Sequence, residues 1–175
     1  TFGFCLPHKG ILESIQAISI LKNDYPKIHF LIISSIYPVE ASELYYNKCN
    51  QEIEKLGLKT NVSFISDFLS EEYIFDHLIQ SDLIVMPYIQ TQESASGALR
   101  LTFAAKKPII VTDIPIFDEY FNEVYKISHS DPKEISDGIK YLLNNINLQN
   151  NMINAVIEKM NQENWDSVAK IHEEV

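Results

Sequence analysis

Short, nearly continuous apolar runs recur along this chain, each separated from the next by a polar or amphipathic segment. The runs are TFGFC (1–5), IHFLIISS (28–35), NVSFIS (61–66), DLIVMPY (82–88), KPIIVT (107–112) and EVYKIS (123–128). A strand with one wet face alternates apolar and polar residues, whereas one apolar throughout is covered on both faces. The segments between them carry helix signals. Ile11, Ile15, Ile18 and Leu21 recur at helical spacing and Pro26 closes that helix. An amphipathic stretch over about 39–56 stops at Gly57, and Ser70 is placed to cap a helix running to about Gln80. In DPKE (131–134), aspartate stands at the cap, proline at the first helical position and glutamate two further on. A last helix is expected over about 148–163, after an asparagine-rich junction within 144–154.

Six strands alternating with helices predict an α/β fold: a doubly wound, mainly parallel six-stranded sheet with right-handed crossovers. In such a sheet, ligands sit at the carboxyl ends of the strands, where the strand order reverses. The loops 6–10 and 88–97 emerge on that edge. The 175 residues suffice for one domain with one sizeable core, expected over 1–164, with a helical tail over 165–175 anchored by Trp165. The chain opens inside a strand, which reads as a piece of a longer protein.

Charge and cysteine content narrow the function. A formal net charge of −10 argues against a nucleic-acid surface, which would carry a basic patch. Cys5 and Cys49 are too few for a disulfide framework and lack metal-ligand spacing, as a reducing compartment predicts. Cys5 reads as a small core residue. His29, His77, His129 and His172 show no pairing that would hold a metal. No apolar run reaches the ~18 residues of a membrane-spanning helix.

The segment QESASGALR (92–100) carries the strongest functional signal. A helix starting near Ser94–Gly97 turns its first unpaired backbone N–H groups toward the functional edge, with the positive end of its dipole. Small residues there let an anion reach those groups. They also suit tight packing of helix on sheet, and the sequence leaves both readings open. Lys9 in LPHKG ends the first strand's loop and can aim an ammonium at the same edge, while Gly10 lets the backbone turn into the helix. His8 beside it reads more simply as an exposed loop histidine than as a phosphate contact. Arg100, the sole arginine, lies three and four residues beyond Gly97 and Ser96 on one helix face. It can fork onto a phosphate or pair with an acidic neighbour. Tyr88 lines either a sugar pocket or the core. Asp113, Asp118 and Glu119 follow the fifth strand at that same edge.

Taken together, PHKG, SDLIVMPY, ESASGALRLTFAAKKPIIVTDIPIFDE and the late Trp165, Val168 and Ala169 resemble the carboxyl-terminal, nucleotide-sugar-binding half of glycosyltransferase family 4 enzymes of GT-B fold. The resemblance spans nearly the whole chain. It implies transfer of a sugar from a nucleotide diphosphate sugar to a glycan or lipid-linked acceptor, with retention at the anomeric carbon and no required metal or other cofactor. It further implies a cytoplasmic protein, peripheral to a membrane through its longer parent where the acceptor is lipid-linked, and an amino-terminal acceptor domain outside this chain. By position, Lys9 neutralises the donor diphosphate and Glu93 hydrogen-bonds the sugar. The backbone around Ser96, Gly97 and Ala98 holds the phosphates. The chain departs from the pattern at three places. Phe4 or a neighbour stands where members commonly carry an arginine, Leu101 stands where a second, ribose-holding glutamate is expected, and the glycine is displaced by about one residue from the commoner pattern. Glu119 aligns with a family glutamate, although capping explains it equally. Two rival readings are a GT-B nucleotide-sugar epimerase and a non-catalytic domain that kept the fold.

Overall fold

The computed structural model describes residues 1–91 and 93–162, so the expected tail at 165–175, with Trp165, lies outside the described residues. Every expected strand forms, as a shorter core of its apolar run: β1 Phe2–Phe4, β2 Phe30–Ser35, β3 Val62–Ile65, β4 Ile84–Met86, β5 Ile109–Thr112 and β6 Tyr125–Ile127. The helices are α1 Ile11–Leu21, α2 Glu40–Lys55, α3 Glu71–Gln80, α4 Gly97–Ala104, α5 Pro132–Leu143 and α6 Ile146–Gln162. The local start signals act as their chemistry dictates. Ser70 Oγ accepts the Tyr73 N–H, and the Asp131 carboxylate accepts those of Lys133 and Glu134. Glu134 reaches back to the His129 N–H at 2.9 Å, satisfying a donor just outside the helix.

All strand pairs are parallel, as expected, but the ladders form two three-stranded sheets, β1-β2-β3 and β4-β5-β6, rather than one sheet of six. The reason lies in register. β1 begins opposite Ile33 and covers only the carboxyl half of β2. Toward the amino ends, a cavity of about 790 Å³ lined by Phe30, Leu31, Ile84 and Val85 separates β2 from β4. Packing does what the missing ladder does not. Phe30, Ile32, Val85 and Ile110 point into one core with α1, α2 and α5. Ile33, Ile84, Met86, Ile109 and Val111 point into another with α3 and α4. The period-2 alternation of a strand thus divides its residues between two cores, each spanning both sheets. Each fully buried aliphatic side chain stabilises the fold by roughly 1.5–3 kcal/mol relative to exposure.

Candidate functional site at the carboxyl edge

After β1, the chain makes one 3₁₀ turn over Pro7–Lys9, and proline at its first position presets the backbone. Gly10 ends that turn at φ 68°, ψ 24°, then caps α1. Two separate demands select glycine there. The positive φ is one; the other is proximity, because a Cβ would lie 2.1 Å from the Pro87 carbonyl oxygen beyond β4. The neighbouring Ile89 N–H donates to the His8 carbonyl at 2.8 Å. The loops after β1 and β4, nearly half the chain apart, are therefore joined backbone to backbone.

On this frame the side chains converge. Tyr88 is buried, and its hydroxyl and Ser96 Oγ share a hydrogen bond of 3.2 Å. Burial pushes the Tyr88 phenol up to about 12, so it stays protonated at neutral pH. Lys9 Nζ lies 4.1 Å above the centre of the Tyr88 ring, a cation–π contact, and donates to Glu93 Oε2 at 3.0 Å. The Lys9 side chain is only 12% exposed. Its burial lowers the ammonium pKa, and the Glu93 carboxylate opposes that shift.

Ser96 caps α4, its Oγ accepting the Leu99 N–H at 3.2 Å. Among the described residues, the Gly97 and Ala98 N–H groups meet no acceptor, so they remain available at the positive end of the helix. The small residues differ in their surroundings. A Cβ added at Gly3 of β1 would stand 3.8 Å from the Ala98 methyl, an ordinary packing contact. Gly97 has nothing within 4 Å of where a Cβ would stand and opens the helix end to solvent.

Lys9, Gly10, Tyr88, Glu93, Ser96, Gly97 and Ala98 are thus brought to one place. Arg100 points elsewhere in this structure: its Nη2 lies 3.9 Å from Glu119 Oε1. Asp113 pairs with Lys126 at 3.2 Å. Phe4 is half-exposed and edge-on to Tyr37, with ring centres 5.0 Å apart. Leu101 packs partly buried against the core of β4 and β5. The large cavity opens at the opposite, amino edge of the strands, away from all of these groups.

His8 corrects an expectation. It is no freely exposed loop histidine: its side chain is 25% exposed, its ring stands edge-on to Tyr88, and Nε2 faces Glu93 Oε1 at 3.4 Å. Desolvation, followed by the neighbouring Lys9 charge, lowers the imidazole pKa, with Glu93 opposing. Adjacency to Lys9 was the only sequence signal for this role. No sequence signal marks the approach of Gly10 to Pro87. Among the described residues, no three or more His, Cys, Asp or Glu side chains are grouped to hold a metal, and no helix is long and apolar enough to cross a membrane.

No curated protein matches the sequence. In structure, the chain is similar to a glycosyltransferase from Rickettsia africae, with a TM-score of 0.80 at 18% identity, covering 99% of this chain and 45% of that one. It is also similar to the C-terminal domain of the group 1 glycosyl transferase LpcC from Francisella tularensis (TM-score 0.76, 18% identity, 93% of this chain and 83% of that one). A UDP-forming α,α-trehalose-phosphate synthase from Burkholderia vietnamiensis gives a TM-score of 0.82 at 8% identity, over 98% of this chain and 42% of that one. These likenesses establish a GT-B, Rossmann-like α/β fold. This chain spans less than half the length of the Rickettsia and Burkholderia chains. The sequence pattern of the Glycosyl transferases group 1 family matches residues 2–159, so the chain belongs to that family.

Proposed function

We propose that this chain is the donor-binding half of a retaining glycosyltransferase that takes a nucleotide diphosphate sugar. One observation carries the reading. A nearly buried ammonium, a half-exposed carboxylate and two helix-end N–H groups that meet no acceptor among the described residues converge where β1 and β4 end. In a donor complex, Lys9 turns from Glu93 to the diphosphate, and the Gly97 and Ala98 N–H groups take phosphate oxygens. Glu93 is then free to accept hydroxyls of the sugar. As the bond from the anomeric carbon to phosphate breaks, negative charge grows on the leaving diphosphate. Fixed donors stabilise it, each worth about 3 kcal/mol, without a required metal. Arg100 would join them only by leaving Glu119. The UDP-forming synthase among the structural neighbours is consistent with a nucleotide-sugar donor.

The acceptor, a glycan or lipid-linked sugar, would be held by an amino-terminal domain that closes over this edge. Polysaccharide or glycan assembly at the cytoplasmic side is the setting this reading implies. Thermal unfolding against uridine, guanosine and adenosine diphosphates and their sugars tests it. At 100 times its dissociation constant, a ligand adds about 2.7 kcal/mol, a shift of several degrees at this size. The shift should vanish in Lys9→Ala and weaken for the sugar form in Glu93→Ala. An unchanged shift in Arg100→Ala would remove that residue from the phosphate site. No shift with any ligand would mean that the site needs the missing half or is a relic.

A further inference from the structure

We propose that His8 is a positioning residue that holds Glu93 in the donor site once Lys9 has turned to the diphosphate. The inference rests on the reading of Glu93 as a ligand of the donor sugar. In the free protein, both oxygens of Glu93 face one short turn: Oε2 takes the Lys9 hydrogen bond at 3.0 Å and Oε1 faces His8 Nε2 at 3.4 Å. Departure of Lys9 would leave a carboxylate that is 41% exposed, on a flexible stem, without its hydrogen-bonded cation. Among the described residues, His8 remains in reach.

The imidazole is well placed for this. Its own carbonyl accepts the Ile89 N–H at 2.8 Å, four residues before Glu93, so ring and carboxylate are carried by loops already joined. Its face is fixed edge-on to Tyr88 at 6.2 Å. Nε2 is shut off from solvent and, among the described residues, has no well-aligned hydrogen-bond partner beyond the long approach to Glu93. A buried ring nitrogen without a partner is unfavourable. The nearest acceptor is Glu93 Oε1, and closing that gap by about half an ångström makes an ordinary N–H to carboxylate bond. The charged groups acting on the ring are Lys9, which disfavours its protonation, and Glu93, which favours it. Neutral imidazole with the proton on Nε2 donates to Glu93, and no proton is transferred.

The test compares nucleoside diphosphates with their sugar esters, as uridine, guanosine and adenosine pairs, on wild type, His8→Ala and His8→Gln. Wild type should bind one sugar ester more tightly than its bare diphosphate. His8→Ala should cut that preference about tenfold while changing bare diphosphate affinity less than twofold. His8→Gln, whose amide N–H occupies the Nε2 position, should restore most of it. A second measurement needs no ligand: the His8 ring titration, followed by NMR, should move to lower pH in Glu93→Gln. An unchanged preference in His8→Ala, or an unmoved His8 titration, overturns the role of His8 and leaves the donor reading standing. Failure of wild type to bind any pair overturns donor binding by this chain alone and the role of His8 with it; the titration then reports only whether the two side chains are coupled.

Discussion

Replacing Gly10 with alanine tests whether the site depends on the close approach of two loops. Gly10 has φ 68° and ψ 24°, a conformation that costs an alanine about 1–2 kcal/mol. The new Cβ would also stand 2.1 Å from the Pro87 carbonyl oxygen and 2.8 Å from Ser130 Oγ. The serine can rotate away, but the carbonyl is backbone and must retreat by about 1 Å, an overpacking cost of about 1–3 kcal/mol. Together these give roughly 2–5 kcal/mol. Gly57 supplies an internal control: its φ is 62°, yet nothing lies within 4 Å of the position of its Cβ. Gly57→Ala should therefore show the backbone strain alone. Urea unfolding of both variants separates the two contributions, and the melting temperature of Gly10→Ala should fall by roughly 10 °C. Equal losses in the two variants, within about 0.5 kcal/mol, would show that contact with Pro87 does not select glycine at position 10.

Gly97→Ala should behave in the opposite way: its site is open and alanine favours helix, so stability should hold or rise slightly, by less than about 1 kcal/mol. The added methyl would nonetheless crowd the N–H groups, and nucleotide-sugar affinity by calorimetry should drop severalfold; unchanged affinity would count against the anion seat. Cys5 and Cys49 are fully buried, with thiols raised to about 11 and about 12. Neither should react with iodoacetamide at pH 8 until the chain is unfolded, and rapid labelling of the native protein would contradict their placement.

What the sequence made legible was local. Ser70 and Asp131 announce their helices because a cap is a contact within three residues. The strands were visible as apolar runs, but their ends were not. Tyr88 extends the run of β4, yet its N–H bonds to the Met86 carbonyl at 3.0 Å, and the chain has already turned. The asparagine-rich junction concealed a helix start: Asn145 Oδ1 accepts the Leu148 N–H at 3.1 Å, and α6 begins at Ile146. The division into two ladders depends on register between strands distant in sequence, which no single run encodes. The same limit applies to the site. Lys9 and Glu93 could be named from their motifs, whereas the pairing of His8 with Glu93 is a consequence of two loops meeting.

Each sheet is built from one uninterrupted stretch of chain, β1 to β3 within residues 2–65 and β4 to β6 within 84–127. During folding, each stretch can order its own strands by closing short crossovers, whereas Lys9 meets Glu93 only after a loop of more than 80 residues has closed. Non-local contacts of that kind belong to the slow part of a folding reaction. On the donor-binding proposal, ligand competence would then be acquired as the two stretches dock, not as either one takes shape. Recovery of binding, followed beside recovery of helix signal during refolding, separates those two events in time.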